Sequence, residues 1–229
     1  MVNTNDFLKN KIDVCIISLE HHTERRENLI NSLKNNNIIP RVSYAVNGKK
    51  LSAEEYFLNF KAKSSKLFGR KFLTPSELGC FLSHRKAIGE FLDKNNQWLL
   101  ILEDDVFVNT DLTQLINKID KLNDDSVYIL GGQDGLKSFQ KVILKNNILN
   151  IRKVMFGTHR WIYRTCCYLI SKNTASHLYN FMNNTTYIAD DWSLILKNTK
   201  IKNIYYFPCF SHPINLENSI IEEERLFIK

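Results

Sequence analysis

The chain of 229 residues holds no apolar run approaching the roughly 18 residues that a membrane-spanning helix needs. Its opening, MVNTNDFLKN, lacks the basic start, apolar block and small-residue cleavage site of a secretory leader. Its five cysteines, Cys15, Cys80, Cys166, Cys167 and Cys209, form no C-x-x-C and no paired spacing suited to zinc, so each is expected to be a small apolar packing residue. These absences together lead us to expect a reducing, cytoplasmic compartment. Neither a G-x-G-x-x-G fingerprint nor a P-loop is present, which excludes the two common glycine-built phosphate cradles. No internal repeat or low-complexity linker divides the chain. A single domain over residues 1–229 is the simplest organisation, with a core at about 12–210 and a tail at 211–229.

What is present supports a globular α/β protein. The hydrophobic content of 44% suffices for a sizeable core, and the net charge of +7 favours acidic partners: nucleic acid, an anionic membrane face or a phosphorylated substrate. Residues 12–19, IDVCIISL, read as a buried strand, and TERRENLINSLKNNN repeats Leu29, Ile30 and Leu33 at helical spacing. In LTPSELGCFLSHRKAIGEFL, Thr74 is the expected N-cap, Pro75 the first helical residue and Glu77 the capping-box partner. Leu78, Phe81, Leu82, Ile88, Phe91 and Leu92 make the buried stripe of that helix. Further strands are expected at 98–102, 126–132, 142–145, 148–155, 160–171 and 203–208, with a helix at about 173–183. Alternating strands and helices early, then hairpin-like strands, predict a mixed sheet.

Three consecutive carboxylates, Glu103, Asp104 and Asp105, follow the strand WLLIL. Ligands of open α/β sheets sit beyond the carboxyl ends of strands, where this cluster would emerge. Crowded like charges raise one another's pKa unless a cation lies among them, and hard oxygen ligands suit Mg²⁺ or Mn²⁺. Alternation along an extended segment would put Glu103 and Asp105 on one side and Asp104 on the other. The alternative is a solvated turn or a helix cap. The helix that precedes this strand must start at the same sheet edge, bringing Glu77 and His84 near the carboxylates. Arg25 and Arg26 fall in the first turn of a helix, where the dipole favours negative charge; that placement suits a bound phosphate, or else ion pairs with Glu24 or Glu27.

Taken in order, ISLEHHTERRENL, AVNGKKL, LTPSELGCFLSHRKAI, WLLILEDDVFV and GTHRWIYRTCCYLISKNTASHL resemble the motifs of glycosyltransferase family 25, the lipooligosaccharide galactosyltransferase-like group. The resemblance spans about residues 12–210, and E-L-G-C-x-x-S-H followed by L-I-L-E-D-D is its most specific part. It implies a GT-A-like fold with a mixed, mainly parallel sheet flanked by helices. It also implies a nucleotide-sugar donor, most often UDP-galactose, and transfer with inversion onto a bacterial lipooligosaccharide or related surface glycan. Ser18, Leu19 and Arg25 or Arg26 match the donor-side motif; Glu77, Gly79, Ser83 and His84 match the central block. Glu103, Asp104 and Asp105 match the acidic motif, which by resemblance holds a divalent cation, Mn²⁺ or Mg²⁺, against the donor diphosphate. The ending FPCFSHPI departs from the pattern of relatives.

Within that scheme Asp105, with Glu103, is the expected metal pair, and His212 a further ligand from a late loop. Asp104 is assigned to the donor side. Asp191 is the first choice of base and Asp190 the second, with Trp192 offering a flat face to a sugar; capping of the following helix is the alternative role. Glu77 is a third candidate carboxylate. The tail LENSIIEEERLFIK suggests a short amphipathic helix, and the basic charge permits loose docking at the inner leaflet, where a lipid-linked acceptor would lie. A nucleic-acid partner is disfavoured, because Lys and Arg are scattered rather than clustered with aromatics. A metal-dependent nucleotide-sugar phosphohydrolase and an inactive glycan-binding relative remain the other readings.

Overall fold

A computed structural model describes residues 11–60, 72–110, 112–146, 151–213, 221, 224 and 225. In chain order the elements are β1 (Ile12–Ser18), α1 (Thr23–Asn35), β2 (Arg41–Tyr44), α2 (Ala53–Asn59), α3 (Pro75–Leu92), β3 (Trp98–Glu103), β4 (Phe107–Val108) and α4 (Thr113–Ile116). They continue as β5 (Ser126–Gly131), β6 (Leu144–Asn146), β7 (Arg152–Val154), β8 (Cys167–Ser171), α5 (Lys172–Asn184), α6 (Trp192–Asn198) and β9 (Asn203–Ser211). One sheet runs β2-β1-β3-β8-β5-β9-β7-β6, with β4 beside β9.

Period-two alternation sorts the strand residues onto two faces. Cys15, Ile17, Leu99, Ile101, Val127, Ile129, Tyr168 and Ile170 join one buried cluster with α3, α5 and α6. Val14, Ile16, Leu100, Leu102, Tyr128, Leu130 and Leu169 join the other, with Leu29 and Leu33 of α1. Each such side chain contributes about 1.5–3 kcal/mol when fully removed from water, so the sheet is committed on both faces. The expected helix starts as read: Thr74 accepts from Glu77 N, the Glu77 carboxylate accepts from Thr74 N at 2.8 Å, and Pro75 occupies the first turn.

The mixed sheet flanked by helices is the expected architecture, but its balance is not mainly parallel. Among the described residues three pairings are parallel, β1–β2, β1–β3 and β5–β9. Five are antiparallel, β3–β8, β4–β9, β5–β8, β6–β7 and β7–β9. The strand expected at 160–171 begins only at Cys167, because His159–Trp161 form a 3₁₀ turn and Arg164 takes a left-handed backbone, φ 63°. The strand expected at 142–145 is Leu144–Asn146; of that expected at 148–155, residues 148–150 lie outside the described ones and Arg152–Val154 is a strand.

This topology gathers chemistry at one edge. The carboxyl ends of β1, β2, β3, β5 and β9 share it, together with the amino end of β8, since Leu102 pairs with Cys167 in antiparallel register. Helix α3 starts there too. A Cβ on Gly79 would lie 2.6 Å from Gly48 N and 2.7 Å from Val46 O, so glycine at 79 lets the segment after β2 lie directly on α3. Ser83 fastens the same contact by donating to Gly79 O at 2.6 Å while accepting from Val46 N at 2.8 Å.

Candidate active site

A cavity of about 760 Å³ opens at this edge, within the size range of small-ligand sites. Its wall includes Ser18, Leu19, Arg25, Glu77, Ser83, His84, Glu103, Asp104, Asp105, Asp190 and His212 from the expected set. The sheet edge brings these together across 194 positions of sequence, from residue 18 to residue 212. Two expected residues are not on that wall, Arg26 and Asp191, and each has a local reason.

Arg26 is 7% exposed, and one guanidinium nitrogen donates to Ser18 Oγ at 3.2 Å, Leu19 O at 3.1 Å and Glu20 O at 3.3 Å. It ties the β1–α1 turn instead of facing an open phosphate site. Arg25, one residue earlier and so about 100° around the helix, is exposed on the cavity. Of the pair only Arg25 is placed to meet an anion.

The acidic triplet divides three ways. The strand ends at Glu103 and residues 104–105 form a turn, so the alternation expected through Asp105 stops one residue early. Glu103 keeps the α3 face: its Oε1 lies 3.2 Å from His84 Nε2 and accepts from Thr165 Oγ at 3.0 Å. Asp104 points toward α1, with Oδ2 3.3 Å from His22 Nδ1. Burial raises its pKa, opposed by a hydrogen bond from Ser18 and by the charge of His22. Asp105 turns to the late loop, its Oδ2 3.2 Å from His212 Nε2. Burial pushes this carboxyl up, but the His212 hydrogen bond and charge, with Arg25 behind them, outweigh it and hold the pKa below its ordinary value. His212 moves the other way: burial favours the neutral ring, and contact with Asp105 outweighs that and raises its pKa.

Asp105 Oδ1 is buried and, among the described residues, has no hydrogen-bond partner. A buried carboxylate oxygen left so is costly unless something positive meets it. Asp105 and His212 thus fit a divalent cation by their donor types and by that orphaned oxygen.

The carboxylates proposed for proton transfer separate clearly. Asp191 is fully buried and is the N-cap of α6, its Oδ1 accepting from Leu194 N at 3.1 Å. Trp192 is 1% exposed and packs edge-on to Tyr168 in the core, so it offers no face to a sugar. Asp190 lies on the wall, with Oδ2 accepting from Arg164 N at 2.7 Å. Glu77 is 2% exposed; besides closing the capping box it accepts from Arg225 Nε at 2.8 Å. Beside it Glu224 accepts from Ser76 N at 2.9 Å and Ser76 Oγ at 2.8 Å. The expected tail helix lies mostly outside the described residues, but Ile221 and Arg225 reach the cavity wall.

Among the wall residues that sequence reasoning missed are His22, Cys80, Arg164 and Thr165. Cys80 was expected only to pack. Arg164 gave no periodic signal, because its position depends on a left-handed backbone and on donation from its side chain to Gly132 O at 2.9 Å.

The profile of glycosyltransferase family 25 (LPS biosynthesis protein) matches residues 11–193, and the chain belongs to that family. Procollagen galactosyltransferase 1 of Danio rerio is 31% identical over 176 residues, which span 72% of this chain and 28% of that protein. The probable inactive glycosyltransferase 25 family member 3 of Bos taurus is 29% identical over 126 residues, 51% of this chain and 21% of its own length. The chain therefore spans less than a third of these relatives. Among solved structures, a mannose-1-phosphate geranyltransferase from Thermus thermophilus superposes with a TM-score of 0.47 at 9% identity, covering 89% of this chain and 75% of that one. At that distance nothing about function follows. No helix among the described residues is long and apolar enough to cross a membrane.

Proposed function

We propose that the chain is a metal-dependent glycosyltransferase that takes a nucleotide-sugar donor, UDP-galactose first among those to test, and transfers the sugar with inversion to a glycan hydroxyl. The observation that carries this reading is Asp105, whose buried Oδ1 has no hydrogen-bond partner among the described residues while Oδ2 meets His212, beside a cavity of donor size. A cation bound there, Mn²⁺ or Mg²⁺, would neutralise the leaving diphosphate. Arg25 faces the same space and adds a guanidinium for phosphate oxygens. Asp190 is the carboxylate on the wall that can accept the acceptor hydroxyl proton, and Arg164 N–H holds one of its oxygens in place. Galactose is supported by the naming of the Danio rerio relative as a galactosyltransferase, and a surface-glycan acceptor by the family's description. We place the reaction in the cytoplasm, with loose docking at the inner leaflet if the acceptor is lipid-linked, in a single domain.

Two other readings make different predictions. A phosphohydrolase would release free sugar or sugar phosphate at the same rate with or without acceptor. An inactive relative would bind glycan and turn nothing over; the Bos taurus protein named as probably inactive keeps that reading in view. Product analysis with UDP-galactose, Mn²⁺ and a panel of oligosaccharides is expected to show UDP release that depends on acceptor, with a galactosylated product. Acceptor-independent release would support the hydrolase.

A further inference from the structure

A second group of ligand atoms lies on the α3 side of the acidic motif, away from Asp105 and His212. One sulfur of Cys80, one ring nitrogen of His84 and one carboxylate oxygen of Glu103 lie within 4.8 Å of one another. Cys80 and His84 are four residues apart on α3, which puts both on one helical face. That face meets Glu103 where β3 ends, and all three residues line the cavity. We propose that Cys80, His84 and Glu103 form a site for a zinc-class cation, separate from the cation position at Asp105.

The donor set decides the class of ion. Thiolate, imidazole and carboxylate together suit Zn²⁺, and its spectroscopic substitute Co²⁺, over Mg²⁺ or Mn²⁺, whose preferred ligands are oxygens. Three protein ligands leave a coordination position open, as in zinc sites that accept water or substrate. The supporting contacts are also in place. His84 Nδ1 lies 3.0 Å from the Tyr168 hydroxyl, a group that can donate or accept. With Nδ1 protonated toward Tyr168, His84 Nε2 presents its lone pair to a cation, and the hydroxyl fixes the ring. Thr165 Oγ donates to the Glu103 oxygen that faces His84 and so orients it. Binding exchanges the cation for the thiol proton of Cys80, which leaves to solvent. The neutral His84 ring changes tautomer, its proton passing from Nε2, where it bridged to Glu103, to Nδ1, where the Tyr168 hydroxyl accepts it, and the His84–Glu103 hydrogen bond is lost.

Zinc in this position would tie α3 to the end of β3 at the cavity wall. The inference does not depend on the transferase reading, because it concerns binding alone. The test is an optical titration of the purified full chain with Co²⁺ alone. We expect a near-ultraviolet thiolate-to-cobalt charge-transfer band that saturates at one equivalent and is displaced by Zn²⁺. Cys80→Ser is expected to abolish it and Asp105→Asn to keep it. Cys80→Ala carries the same test if the serine variant does not fold. Absence of the band in the wild-type chain would overturn the proposal. So would its persistence without Cys80, which would assign it to another cysteine, and so would its loss in Asp105→Asn, which would merge the two positions into one.

Discussion

Asp105→Asn is expected to lower kcat/KM for sugar transfer by about 100- to 1,000-fold, the scale of losing one preorganised electrostatic group at a developing charge. The substitution keeps the side chain's shape. It replaces a charged ligand by a neutral one at the position where an orphaned oxygen and His212 converge. The fold should tolerate it, because Asp105 follows the end of β3 and no strand pairing depends on its side chain. The melting temperature is therefore expected to stay within a few degrees of wild type. Steady-state rates with UDP-galactose and saturating Mn²⁺, read beside a thermal melt, check both halves. Turnover within threefold of wild type would remove the cation from this position.

Asp190→Asn and Asp191→Ala are expected to fail in opposite ways. Asp190 is on the cavity wall, and asparagine keeps an oxygen to accept from Arg164 N while losing the basicity. A fall in kcat of about 100- to 10,000-fold is expected, with an unchanged melt. Asp191 caps α6 from a fully buried position. Its loss is expected to cost about 0.5–2 kcal/mol of stability while leaving kcat within a few fold. The reverse pattern, a stable Asp191→Ala that no longer turns over, would return the base to Asp191 and contradict the burial.

That reversal of first and second choice shows what was legible from residues alone. Local signals were read correctly where one turn of chain decides them: Thr74 and Glu77 close the capping box as expected, and the apolar residues of α3 face the core. The placing of Glu103, Asp104 and Asp105 at this edge followed from the rule that ligands meet the carboxyl ends of strands, and that of His84 from the direction of the helix before them, whereas His212 was suggested by the family resemblance alone. Hidden were the features set by tertiary contacts. In YIADDWSLIL two adjacent aspartates are chemically alike; the fold buries Asp191 as the cap of α6, beside Trp192 packed on Tyr168, and leaves Asp190 on the cavity wall against Arg164 N. The separate partners of Glu103 and Asp105 depend on a turn that begins right after Glu103. Arg25 and Arg26 differ because the β1–α1 turn presents Leu19 O and Glu20 O to one of them. The excess of antiparallel pairing arises from β8 running against β3 and β5 and from β9 running against β4 and β7, long-range pairings that no strand's own sequence specifies, together with the local β6–β7 pair.

The central claim is that the nucleotide sugar and a divalent cation bind together at this sheet edge. A thermal-shift measurement with UDP-galactose, Mn²⁺, both and neither tests it most directly, since a ligand that binds only the folded chain raises its melting temperature. At a ligand concentration about 100 times Kd the stabilisation is about 2.7 kcal/mol. For a chain of this size that is a rise of roughly 5–10 °C. The account predicts this rise only when sugar nucleotide and Mn²⁺ are present together, and its loss in Asp105→Asn. An equal rise with UDP-galactose alone, or the same rise in Asp105→Asn, would contradict it.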